Sequence, residues 1–368
     1  MRAGISNIKG NLYTGGWQLI YENLLTSAAT SVTISGLDGN TDKEYKLIYR
    51  PVGNSANTSH MLNFNNDTGA NYNYQTLSAA NDTAHAYQGA GLTGMYFDIE
   101  TGVETGAVAF SEALIYAKSG CLRTALIKTA GKTLTTTVTS IYLGGWSWTN
   151  TADNITSLTI SSQAANGMGI GTHILLFARR IKQTTQLEGS LELYKGKLQA
   201  GVMQTIYETT LTEAATSITI SGLDGNTDIL YELEMRVVNG YNGGANCLLR
   251  CNNDTGANYG RQEVNGNNAT AGATRSTNHT GIYFANCDAL GNVSQGEIKL
   301  YAKSGYIRTA ILNRSCAIAT TTVSIIQLAG YSWNNTADNI TSLVILADQT
   351  NGLGIGTYIR LKALRKVV

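Results

Sequence analysis

Charge is scarce in this chain. Lys, Arg, Asp and Glu together make up 14% of the 368 residues and cancel to a net +1, where an average soluble domain carries roughly a quarter. So thin and even a balance leaves no electrostatic footprint for nucleic acid or an acidic membrane surface, and neither is expected as a partner. Apolar runs are short too. The run 174–178, Ile-Leu-Leu-Phe-Ala, is strand-sized, far below the roughly 20 residues of a spanning helix. The first seven residues lack the apolar stretch of a secretion signal, which predicts synthesis in a cytoplasm. Cysteine is sparse and uneven: Cys121 stands in the first half, and Cys247, Cys251, Cys287 and Cys316 in the second. A disulfide framework would recur in both halves, so these read as free thiols made in a reducing compartment. Proline occurs once, against 40 Gly and 20 Tyr, a composition of many turns and many strands.

What is present is a message written twice. The ten residues from Thr33 to Asp42 return unchanged as Thr219 to Asp228, and Asn65 to Tyr72 as Asn252 to Tyr259. Tyr116 to Gly120 returns as Tyr301 to Gly305, Asn150 to Leu158 as Asn335 to Leu343, and Gly169 to Thr172 as Gly354 to Thr357. The spacing stays at 185 to 187 residues, too long for a solenoid repeat and the right size for a whole domain with its own core. Two tandem homologous domains are therefore expected, 1–186 and 187–368, joined by the short polar segment around Lys182 to Gln186 and packed close together.

Within one copy, Ser31 to Ser35 alternates polar and apolar, as a half-buried strand does. The turn 36–42 is followed by a strand at 45–50, and further strands are read at 61–64, 96–97, 107–117, 122–128, 134–143, 157–161 and 172–179. The stretch Gln75 to Ala90 has no clear period and reads as a surface loop. Tyr21 to Ala29 reads as a strand, although its partner Tyr207 to Ala215 could also form a helical turn. Eight to ten strands per copy predict an all-β chain of two tandem β-sandwiches, with a jelly roll favoured by the number of strands and the long loops.

Chemistry is harder to find. The histidines His60, His85, His173 and His279 have no equivalents in the other copy and read as surface residues; the exchange of His173 for Tyr358 suits a surface or an interface. Asp38-Gly-Asn40-Thr-Asp42 and its twin Asp224-Gly-Asn226-Thr-Asp228 look like the start of a calcium loop. Lys43 or Ile229 stands where an EF-hand needs Gly, however, and Tyr49 or Met235 where it needs Glu, so the better reading is a capped turn. Gly167 to Thr172 is followed by a strand, not by the helix a phosphate loop requires. Cys247 and Cys251 lack the two further ligands of a structural zinc site. No catalytic, cofactor-binding or metal-binding residue is assigned. The aromatic pairs Trp146/Trp148 and Tyr331/Trp333, two residues apart on one strand face, fit core packing, a subunit interface or sugar stacking.

The run 29–49 followed by 63–72, together with Trp146, the segment 154–160 and Gly169 to Thr172 before a last strand ending at Ala178-Arg-Arg180, resembles a module of tailed-bacteriophage virion proteins. The resemblance spans most of each copy. It implies a β-rich, non-enzymatic, usually trimeric structural protein of the virion, such as a capsid decoration protein, head fibre or tail-associated protein. Its partners would be other copies of itself and the major capsid protein or other virion proteins. Contacts would run through sheet edges, the arm Met1 to Leu12 and the loops around Tyr72 and Tyr259. Two alternatives stand beside it: a receptor-binding or tail-tip protein that recognises host glycans through the aromatic pairs, and a double jelly-roll major capsid protein.

Overall fold

The computed structural model describes residues 17–55, 58–97, 104–133, 137–179, 202–267, 270–317 and 323–365. The expected domain boundary at 186/187 and the arm Met1 to Leu12 lie outside the described residues.

The first half runs β1 (Trp17–Leu24), β2 (Ser31–Ser35), α1 (Gly39–Asp42), β3 (Glu44–Arg50), β4 (His60–Phe64), β5 (Tyr72–Ala80), β6 (Thr83–Leu92), β7 (Met95–Tyr96), β8 (Val108–Tyr116), β9 (Arg123–Thr133), β10 (Ser140–Trp148), β11 (Ser157–Ser162) and β12 (His173–Arg179). The second half repeats it element for element: β13 (Val202–Thr210), β14 (Ser217–Ser221), α2 (Gly225–Asp228), β15 (Leu230–Val238), β16 (Ala245–Cys251), β17 (Tyr259–Asn267), β18 (Thr270–His279), β19 (Ile282–Cys287), β20 (Val293–Tyr301), β21 (Arg308–Ala317), β22 (Val323–Trp333), β23 (Ser342–Ala347) and β24 (Tyr358–Arg365).

Each half is a jelly roll. In the first, β1-β12-β3-β8 form one sheet and β2-β11-β4-β7 the other, so the chain crosses between sheets at each step in the interleaved order that defines this sandwich. The remaining strands extend the first sheet beyond β8 in the order β9-β10-β5-β6, making it eight-stranded. Tyr45, Leu47, Ile115, Ile127 and Ile174 of the large sheet pack against Ile34, Leu62, Phe64, Leu158 and Ile160 of the small one. The second half builds the same core from the counterpart positions.

The region read as a loop at Gln75 to Ala90 is instead the hairpin β5–β6, closed by Asn81 and Asp82 with Asn81 at φ 56°. Asn accepts that backbone at little cost. Its alternation was illegible because the strands are rich in Ser, Thr and Ala, and because the face bearing Ala79 is covered by the other half. Both Tyr21 and Tyr207 lie in strands.

The two eight-stranded sheets meet edge to edge where Gln18 of β1 pairs with Val202 of β13, forming one sheet of sixteen strands. That sheet folds back on itself. The outer faces of its two halves press together through a third apolar core that includes Ile48, Phe110, Ile141 and Phe177 from one half and Leu230, Tyr301, Ile311 and Leu328 from the other. The strands among the described residues thus form four layers, of four, eight, eight and four strands.

Candidate functional site

Strands β5, β6, β9 and β10 lie against their own counterparts β17, β18, β21 and β22. The halves are therefore related by an approximate twofold axis lying across the strands. On that axis Lys46 faces its own counterpart, Glu232, at 3.9 Å. An identical pair would repel; the Lys/Glu difference makes the contact attractive.

Around this point the interface holds a charged cluster. Lys299 Nζ lies 2.5 Å from Glu112 Oε1 and 2.7 Å from Glu297 Oε1, and Lys362 lies 3.0 Å from Glu232. Lys362 and Arg360 both pair with Glu234. Burial disfavours the charge on Glu112, but Lys299 and Lys128 outweigh it and hold the carboxyl below its usual range. Burial likewise opposes the charge on Lys299, and Glu112 and Glu297 more than restore it. Burial lowers the pKa of Lys46, only partly offset by Glu232.

To one side of the axis the sheets are closed. Arg50 is fully buried, its guanidinium 4.6 and 4.5 Å from the ring centres of Tyr301 and Tyr306, and Arg50 Nη2 donates to the Ile307 carbonyl at 3.3 Å. His173 bridges Tyr301 Oη and Glu22 Oε1, each at 3.1 Å. Ala130 and Val138 fill the hollow over Gly330, where an added Cβ would lie 2.5 Å from the Cβ of Ala130.

To the other side the symmetry fails and the sheets leave a cleft. Leu126 is 41% exposed where its counterpart Ile311 is 2%, and Ile326 is 68% exposed where Ile141 is fully buried. Leu77, Tyr116, Leu122 and Val323 are exposed in the same way, against buried Val264, Tyr301, Ile307 and Val138. Over Gly145, the counterpart of Gly330, lies an open hollow of about 500 Å³ walled by Leu114, Tyr116 and Leu126. A separate groove of about 710 Å³ lies between Leu77 and Leu143 on one wall and Arg236, Gln295, Arg314 and Ile326 on the other. The reason is written in the paired positions. Ile48, Phe110, Leu175 and Phe177 make the closed end dry, and their counterparts are Glu234, Gln295, Arg360 and Lys362. Paired charges of that kind do not repay close packing against leucine.

The residues singled out from sequence fall elsewhere. Trp146, Trp148, Tyr331 and Trp333 are all buried. Trp148 Nε1 donates to Asp67 at 2.6 Å and Trp333 Nε1 to Asp254 at 2.7 Å, while Arg123 and Arg308 lie over the two rings. These aromatics are core, closed by the Asn-rich turns, and no sugar can stack on them. Tyr72 and Tyr259, the centres of the two proposed contact loops, are buried beside Trp148 and Trp333. Asp38 caps the single turn α1, accepting from Asn40 N, Thr41 N and Thr41 Oγ1, and also from Asn154 Nδ2 at 2.9 Å. Asp42 is buried and accepts from Tyr45 Oη at 2.9 Å. Asp224, Asn226 and Asp228 repeat the arrangement. Among the described residues no group of three His, Cys, Asp or Glu is placed to hold a metal.

The histidine reading needs correction. His60 and His173 are buried, the first edge-on to Tyr49 and the second between the halves; His85 and His279 are partly exposed. By strand register His60 and Phe64 correspond to Cys247 and Cys251. Those cysteines are thus core fillers, and burial pushes both thiols up to about 12. Cys287 is also buried, while Cys121 is exposed.

The cleft and its charged centre were not found from sequence. A signal existed in the aligned copies: strands such as 173–179, apolar on both faces, and the exchanges of Lys46 for Glu232 and Phe110 for Gln295 mark a second buried face that differs between halves.

No family model matches the chain, and no curated protein matches it. Solved structures with some likeness include the LG4-5 domains of the mouse laminin alpha1 chain, 10% identical at a TM-score of 0.19, with 98% of this chain and 92% of that one covered. Another is a protein of unknown function from Shewanella oneidensis, 12% identical at 0.15, with 48% and 80% covered. A third is a GH43 protein from Bacillus licheniformis, 11% identical at 0.18, with 82% and 63% covered. Likenesses at this level carry no argument about activity. Among the described residues no helix is long and apolar enough to cross a membrane.

Proposed function

We propose that this chain is a non-enzymatic structural protein of a tailed-bacteriophage virion, made in the host cytoplasm, which decorates or reinforces the capsid as a homo-oligomer, a trimer by resemblance. The observation that carries the reading is the distribution of apolar surface. Two jelly rolls are locked by a third core into one body, and the exposed side chains of Leu77, Leu114, Tyr116, Leu126 and Ile326 line the open hollow and groove, while Ile170, Leu290 and Ile355 stand exposed elsewhere. Several large apolar side chains exposed along one concave surface mark an association surface. The Asx-capped turns, duplicated at Asp38 and Asp224, hold surface loops rigid with side-chain-to-backbone bonds, which suits a particle component that must keep its shape without disulfides. The test is co-sedimentation with DNA-free heads of the phage whose genome carries this sequence. Saturable binding that raises the melting temperature of the heads is expected. Protein that stays in the supernatant overturns the decoration role, and shells formed without any other capsid protein would instead favour a two-sandwich shell protein.

A further inference from the structure

We propose that the open cleft is the docking surface for a second copy of this chain, through a contact that the molecule already makes once within itself. At the closed end, a plug of Ala130, Val138 and Ile141 from the first half seats in a socket formed by Gly330, Ile311 and Leu328 of the second, and the join is dry. The approximate twofold gives each half both surfaces. The socket of the first half is open at Gly145 and Leu126, with Leu143 alone keeping contact with the third core, and the plug of the second half, where Ser315 stands for Ala130, leaves Val323 and Ile326 exposed. One chain therefore presents a free plug and a free socket whose counterparts are mated in the same molecule. Surfaces that fit each other on identical subunits associate copy to copy, closing into a symmetric set when the rotation allows. The carboxylates of the cleft wall, Glu234 and Glu297, are paired with Arg360, Lys362 and Lys299, and Arg236 and Arg314 on the same wall donate to the Gly356 carbonyl and to Gln327, so the contact is carried by the apolar positions and not by charge.

The test uses full-length protein and its mass in solution across a wide dilution series. Wild type is expected at a whole multiple of the 39.2 kDa chain. Gly145→Val fills the socket; an added Cβ there meets nothing nearer than the Gln75 carbonyl at 3.8 Å, so the fold tolerates it. Val323→Glu/Ile326→Glu spoils the plug at exposed positions. Each variant is expected to weaken self-association by roughly tenfold or more, with an unchanged melting temperature of the monomer. Mixed together, the two variants restore one plug-and-socket contact and give particles of two chains and no larger. Monomeric wild type, or variants that assemble as wild type does, overturns the proposal. If Gly145→Val proves unstable, the plug variant alone decides. The proposal rests on the homo-oligomer of that reading and supplies its contact; it fails on mass, whereas the decoration role fails on capsid binding.

Discussion

His60 shows how one residue can be misjudged and then become useful. It sits at the start of β4 under Tyr49, and burial lowers its pKa to about 4. In the unfolded chain the same imidazole titrates near 6.5. Above 6.5 it is neutral in both states and the fold keeps its full stability. As pH falls from 6.5 towards 4 the unfolded chain takes up the proton first, and stability drops by about 3 kcal/mol at 1.36 kcal/mol per pH unit. Comparison of urea midpoints at pH 7.5 and 4.5 for wild type and His60→Cys, the residue the other half carries, should show a smaller loss in the variant. Parallel curves would mean that His60 titrates normally. The residue was read as surface because a lone histidine with no repeat partner offers no periodicity; only the register of β4 against β11 shows it facing inward.

At the scale of elements, the central strands β3, β8, β15 and β20 carry charge on a face that is buried. Glu112 and Lys299 are each under 10% exposed. Removing one partner from such a pair leaves an uncompensated charge and costs about 3–5 kcal/mol, while replacing both with apolar groups of similar size is near neutral. Glu112→Leu and Lys299→Leu singly are therefore expected to lower stability sharply, and the double variant to recover most of the loss in a urea-denaturation double-mutant cycle. Additive losses would show that the two do not act as a pair. The alternation in Lys46 and Glu112 was visible in sequence as polar positions facing outward. That their outside is another protein layer was not visible.

For the whole molecule, the inequality of the two ends makes a direct test. Gly330 is closed over by Ala130, and Gly145 is open. Gly330→Val forces the halves apart at the dry end and is expected to cost about 1–3 kcal/mol, as overpacking does. The loss should appear as a lower melting temperature of the monomer, measured at dilutions where self-association is lost, and the same substitution at Gly145 should leave that temperature nearly unchanged. Equal effects at both positions would mean that the halves do not pack face to face.

Strand period, turn residues and the near-verbatim repeat of segments such as 33–42 and 219–228 determined, without coordinates, an all-β chain of two like sandwiches, because those signals are local: each is carried by residues adjacent in the chain or by direct comparison of two segments. They also placed the Asp38 and Asp224 turns as caps. Which face of a sheet meets solvent is not local. The outer faces of the large sheets read as polar or apolar one position at a time, and only tertiary packing decided that Phe110 and Ile141 are covered, that Leu126 and Ile326 are not, and that Trp146 and Trp148 lie inside. Burial depends on what another part of the chain, more than 180 residues away, brings against the strand, and two nearly identical halves acquire different surfaces once they are pressed together unevenly.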